Sequence, residues 1–345
     1  MKRFLTYLFL LTVAVSSLSA QLKEGQSALV YYMPLRQLAF EITYEKVTLT
    51  RGIFYQYSER YLGSKDAVLE NEEYYRIDNV SLRTRTLADT TRQFVMPLSQ
   101  KTLNNCAVVL NEKGIIEGVN IQKTDQKKSN TPATRQTKPN KQPSTVLPLL
   151  EEQMLSGSIG KMAESTAKQI YSIRETRLNL LAGDVEHAPA DGNAMSLVLK
   201  ELDEQEAALT ALFMGTSQTQ KLTKTVTLIP YSDITDSVLF RFSKYEGVVD
   251  PDDLSGEPYY LNLNAHIRQY SPAEEGSKQP APSYIYQNIP GSADITLTNG
   301  NQTILSKSLP VPQFGIATPL AADLFSKQAT QIIFDTTTGA ILEIK

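Results

Sequence analysis

The sequence predicts an α+β protein in which two strand-rich regions flank a long antiparallel helical hairpin and a small β subdomain closes the chain. Three observations predict this. Apolar residues recur in steps of three, four and seven over residues 158–181 and 191–214. Apolar and polar residues alternate over long runs on both sides of that pair. Strong turn signals, Asn299-Gly300-Asn301 above all, bound short strands near the C-terminus.

The helices carry their own punctuation. Ile159, Met162, Ala163, Ile170, Ile173, Leu180 and Leu181 mark one face of the first. Met195, Val198, Leu199, Leu202, Leu209, Leu212 and Phe213 mark one face of the second. Gly183 suits the position just past a helix end, and Asp191 can accept hydrogen bonds from the free N–H groups of the next helix. Gly215 closes it. Lys200, Glu201, Asp203 and Glu204 line a charged outer face, a candidate partner surface.

Residues 1–20 read as a secretory signal peptide. Lys2 and Arg3 precede a twelve-residue apolar run, 4–15, followed by small residues up to Ala20. That run is too short to span a bilayer comfortably, so no transmembrane span is expected after its removal. The chain of 345 residues is 41% apolar, with a net charge of −3. Such a balance gives no steering toward nucleic acid. The single cysteine, Cys106, has no partner for a disulfide within the chain and precedes an apolar strand pattern, so it reads as a buried inert thiol.

Residues 21–121 form the N-terminal strand-rich domain. Strands are expected at 27–33, 35–50, 73–87, 94–96, 106–110 and 115–121, with a turn at Asn111-Glu112-Lys113-Gly114. Between 51 and 63 the period changes, and Ile53, Phe54, Tyr57 and Tyr61 share a helical face that Gly63 ends. Residues 122–146 are a flexible basic linker, because residues 123–145 carry six basic residues, one acidic residue, three prolines and no aromatic residue. The helical hairpin occupies 147–215 and a β-rich region 216–345, with a possible subdomain from 283. The later strands are expected at 218–229, 237–242, 259–270, 283–289, 293–298, 303–309, 314–317, 332–334 and 340–344.

The inventory of chemistry is thin. The two histidines, His187 and His266, lack partners at metal-ligand spacing, and no cofactor motif is present. Ser158-Ile159-Gly160-Lys161 and Ser165-Thr166-Ala167-Lys168 match Ser-x-x-Lys, but the companion motifs of penicillin-recognising enzymes are absent. Asp250, Asp252, Asp253 and Glu257 make the densest carboxylate loop, a weak Ca²⁺ candidate that misses the EF-hand pattern. The crowded tyrosines of the first domain read as core and edge structure before a binding platform.

Several longer motifs carry a resemblance. They are Ile170-Tyr171-Ser172-Ile173-Arg174-Glu175-Thr176-Arg177 with the following Leu178 to Gly183, then Pro189-Ala190-Asp191-Gly192, Leu202-Asp203-Glu204-Gln205-Glu206 and Leu212-Phe213-Met214-Gly215. Pro312-Gln313-Phe314-Gly315 and the ending Phe334-Asp335…Gly339-Ala340-Ile341 extend it over nearly the whole mature chain. Together they resemble a family of exported Bacteroidota proteins of unknown function. The resemblance implies a periplasmic or outer-membrane-associated location and no assigned activity. It also implies O-glycosylation at Asp-Ser/Thr sites, here Thr90, Ser237 and Thr336. The expected function is a non-enzymatic binding or assembly module of the cell envelope whose partner is another envelope protein or a glycan. The alternative is a carboxylate-dependent glycan hydrolase or a small-ligand-binding protein.

Overall fold

The computed structural model describes residues 27–98, 106–121, 149, 151–155, 157–184, 191–270, 285–321, 324 and 330–345. The expected signal peptide and basic linker, His187 and the expected break at 271–282 lie outside these residues.

β1 (Ala28–Thr50) is the axis of the fold. It is the central strand of a three-stranded sheet, flanked by β2 (Glu72–Pro97) and β5 (Thr216–Leu228). Its antiparallel pairing with β2 runs from Ala28 opposite Pro97 to Leu49 opposite Glu72, and with β5 from Leu38 opposite Leu228 to Thr50 opposite Thr216. Residues from before and after the helices therefore share one sheet. A second sheet has the order β10-β9-β8-β6-β7, built from β6 (Ile234–Ser243), β7 (Gly247–Val249), β8 (Glu257–His266), β9 (Tyr286–Asn299) and β10 (Gln302–Pro319). A third, small sheet joins β3 (Val108–Leu110) and β4 (Ile116–Val119) to β11 (Ile332–Phe334) and β12 (Ile341–Ile344).

Three cores lie along β1. Its middle, Leu38, Phe40 and Ile42, packs with Val80 and Leu82 against Phe240, Leu261, Leu263, Ile295 and Val311 of the second sheet. This is sheet-on-sheet packing, fed by alternate residues of each strand. The start of β1 supplies Tyr31 to a second core with Met96, Val119, Ile332 and Phe334. Just past its end, Phe54 enters the third core, made by the helices.

The expected α+β class is corrected: the protein is mostly β, with 52% of the described residues in strands against 23% in helices. The helices do not organise the fold; the sheets do. Several expected short strands also fuse into long ones. The segments at 27–33 and 35–50 are one strand, β1, and those at 303–309 and 314–317 are one strand, β10. Proline and broken alternation read as strand ends, but here bulges absorb them. Register shifts fall between Tyr32 and Met33, beside Pro34, and between Val311 and Ile316, around Pro312.

Two helices, α3 (Ile159–Ala182) and α4 (Gly192–Met214), pack at the far end of β1; the shorter α1 (Ser58–Leu62) and α2 (Glu151–Met154) contact α3. Ser158 caps α3 by accepting from the Lys161 N–H at 3.3 Å, and Asp191 caps α4 by accepting from the Ala194 N–H at 2.7 Å. Ala163 and Ala167 keep α3 slim where Phe54 and Phe213 meet with ring centroids 5.2 Å apart. Gly52 makes this approach possible, since a Cβ there would lie 2.3 Å from the Leu212 carbonyl oxygen. The Phe54 N–H donates to that same oxygen at 2.7 Å.

Candidate functional site

The sequence-derived candidates fall at separate places. Asp250, Asp252 and Asp253 sit in a turn before β8, and Glu257 begins β8. Arg241 clasps that turn, donating to the carbonyls of Pro251 at 2.8 Å and Gly256 at 3.1 Å. Asp250 pairs with Lys224 at 3.5 Å. Asp253 accepts from the Ser255 N–H at 2.9 Å, which holds its carboxyl below the usual range. Among the described residues no group of three or more His, Cys, Asp or Glu is placed to hold a metal ion. The geometry of this loop is that of a fastened turn.

Thr90 and Ser237 are exposed and Thr336 is half-buried. In each case the preceding Asp is already engaged. Asp89 accepts from the Thr91 N–H at 3.0 Å, Asp236 pairs with the Asn262 side chain at 2.9 Å, and Asp335 accepts from the Thr337 N–H at 2.8 Å.

On the helices, Lys200 pairs with Glu204 at 3.7 Å, one turn on. Asp203 faces across to Arg177 at 2.5 Å, and Glu206 bridges Arg174 at 2.6 Å and Arg177 at 3.4 Å. The motif arginines thus join the two helices. The Ser-x-x-Lys pairs have structural roles: Ser158 is a cap, and Lys168 pairs with Glu164 at 2.8 Å. Along residues 174–184 and 191–208 no side chain is buried. Leu178, Leu181 and Leu197 are 65%, 64% and 67% exposed.

Sequence reasoning missed a polar junction where the sheets meet. Arg36 of β1 is buried, and its Nη2 donates to the Thr337 carbonyl, 301 positions away, at 3.3 Å. Gln313 accepts from the Arg36 N–H at 3.0 Å and donates back to the Arg36 carbonyl at 2.9 Å. Arg92 holds Asp89 at 2.7 Å, the Pro34 carbonyl at 3.0 Å and the Pro312 carbonyl at 3.2 Å. Asn288, fully buried, donates to the carbonyls of Pro312 at 3.0 Å and Thr338 at 2.7 Å. Burial pushes the Asp89 and Asp335 carboxyls up, but hydrogen bonds and nearby arginines outweigh it and hold both below the usual range. Burial lowers the Arg36 pKa, against the opposing charge of Asp335. These groups fasten backbone to backbone. Two motifs behind the sequence resemblance, Pro312-Gln313 and Asp335…Gly339, meet here, and their proximity was the available signal.

A second missed feature is the outer face of the second sheet. His266 Nε2 lies 2.8 Å from Asp294 Oδ2. Hydrogen bonds from His266 and Ser308 hold the Asp294 carboxyl below its usual range. Two shallow hollows, of about 380 and 400 Å³, lie on either side.

No curated protein and no solved structure matches the chain. A family described as a domain of unknown function (DUF4831) matches residues 27–342, which is nearly the whole chain, and the protein belongs to that family.

Proposed function

We propose that the protein is an exported envelope protein that works by binding a macromolecular partner rather than by catalysis, and that the distal half of the helix pair is its contact surface. The export reading is supported by the basic and apolar start of the chain. The binding reading is carried by one observation: Leu178, Leu181 and Leu197 stand about two-thirds exposed on helix segments, 174–184 and 191–208, in which no residue is fully buried. A surface helix normally turns its apolar residues inward, so leucines left outside are candidate contact points. Lys200, Glu201 and Glu204, close to Leu197 in the chain, are exposed and polar.

The hydrolase alternative has less support. Asp233 and Asp294 line one hollow, so two carboxylates are neighbours. Glycosidic cleavage needs one carboxyl kept protonated by a raised pKa. Among the described residues, Asp89, Glu164, Asp253, Asp294 and Asp335 are held below the usual carboxylate range instead.

The test is site-specific photocrosslinking in the native envelope, with the photoreactive residue at position 178 or 197 and a control at 221 on β5. A discrete adduct from the helix positions alone supports the reading. Equal labelling from all three positions removes it.

A further inference from the structure

We infer that the outer face of the second sheet is a binding site for a neutral saccharide. This site is separate from the helix surface.

The two hollows are neighbours. Asp294 of β9 lines one and Ser308 of β10 lines the other, and these two residues are direct cross-strand partners. The result is one shallow polar trough across β8, β9 and β10. Its floor carries short side chains: Asn262, Asn264, Ser292, Asp294, Thr296 and Ser308. An ordinary solvated sheet face tolerates long Lys and Glu residues. Short side chains have few rotamers to lose, so they bind at a smaller entropic cost.

The donors and acceptors are also held in place. Asp294 is fixed by His266 at 2.8 Å and by Ser308. Asp233 is fixed by the Ala265 N–H at 2.6 Å, and Asn262 donates to Asp236 at 2.9 Å. A sugar presents neighbouring hydroxyls that donate and accept together. Carboxylates and amides in a fixed row match that pattern, because a carboxylate accepts from two hydroxyls and an amide both donates and accepts.

Charge selects the class of sugar. Asp233 and Asp294 stand against Arg268, so the trough is mildly acidic and disfavours an anionic saccharide. The few apolar lining residues, such as Pro290 and Pro310, are too small for a lipid or drug-like ligand. The shallowness suits an extended chain bound along its length better than a single buried ring.

The test uses the full mature chain in affinity gel electrophoresis. The gels contain a soluble β-glucan, xylan, mannan or arabinan, and a printed array of neutral and acidic oligosaccharides runs in parallel. Asn264→Ala and Asp294→Ala are the site variants, with thermal melts to confirm folding. Leu197→Glu controls for the helix surface. The expected result is retardation in at least one neutral-polysaccharide gel, weakened tenfold or more by each site variant and unchanged by Leu197→Glu. Asn264→Ala removes an exposed side chain, so it reports even if Asp294→Ala unfolds. Absence of binding in every gel and on the array overturns the inference. So does binding that both folded site variants retain, or binding that only Leu197→Glu abolishes.

Discussion

Asn288 donates its side-chain amide to the Thr338 carbonyl at 2.7 Å, and so ties the C-terminal β11–β12 turn to β9 of the second sheet. The same amide holds the Pro312 carbonyl at 3.0 Å, and the Asn288 N–H donates to the Gly339 carbonyl at 2.8 Å. One buried residue therefore joins β9, a bulge in β10 and the last turn. Replacing it with Ala strands the Thr338 carbonyl in a buried site and leaves the Pro312 carbonyl to Arg92 alone. An unsatisfied buried group costs roughly 1–3 kcal/mol, so Asn288→Ala is expected to destabilise by about 1–3 kcal/mol. Urea denaturation followed by circular dichroism measures this. A loss below about 1 kcal/mol would show that the clasp is dispensable.

Gly339 tests the same junction from the other side. Its φ is +77°, and a Cβ would lie 2.9 Å from the Asn288 Cβ and 3.0 Å from Pro34 Cδ. Gly339→Ala should thus combine backbone strain with a clash. A loss of about 2–4 kcal/mol is expected, and hydrogen exchange should speed up most in β11 and β12.

Acid should loosen the junction. Asp89 and Asp335 have folded pKa values below the ordinary carboxylate range. The stability they add is fully present above the unfolded pKa, near pH 4, and is lost as pH falls through the folded values. The urea midpoint should drop between about pH 5 and pH 2, and Asp89→Asn should flatten that drop. An equally steep fall in the variant would assign the acid sensitivity elsewhere.

The exposed leucines should contribute little to folding. Leu178→Glu and Leu197→Glu remove no buried contact, so each should change stability by less than about 0.5 kcal/mol. The same variants should lose the photocrosslink expected at the helix surface. A melting temperature lowered by several degrees would mean that the leucines pack within the fold.

Cys106 should be slow to react. Burial pushes its thiol up to about 11, so little thiolate exists at neutral pH. A chromogenic disulfide reagent should label it fast only in denaturant. Rapid labelling of the native chain would contradict its buried position.

The sequence by itself determined the local features. The helix cap at Asp191, the left-handed glycines at 63 and 183, and the turn at Gly300 depend on neighbours a few positions away, and each is legible from residue type. The alternating strand residues Phe40 and Ile42 were legible for the same reason. Only the tertiary structure decided the class, the strand lengths and the sites. Pro34 and Pro312 looked like strand ends, because sequence does not show that a bulge will carry the strand past them. The helix pair looked central because a long amphipathic pattern is conspicuous, while pairing of Thr50 with Thr216 across 166 positions leaves no mark in either segment. Arg36 with Thr337 and His266 with Asp294 are contacts of the same kind: each depends on chain closure over a long separation, which local spacing does not encode.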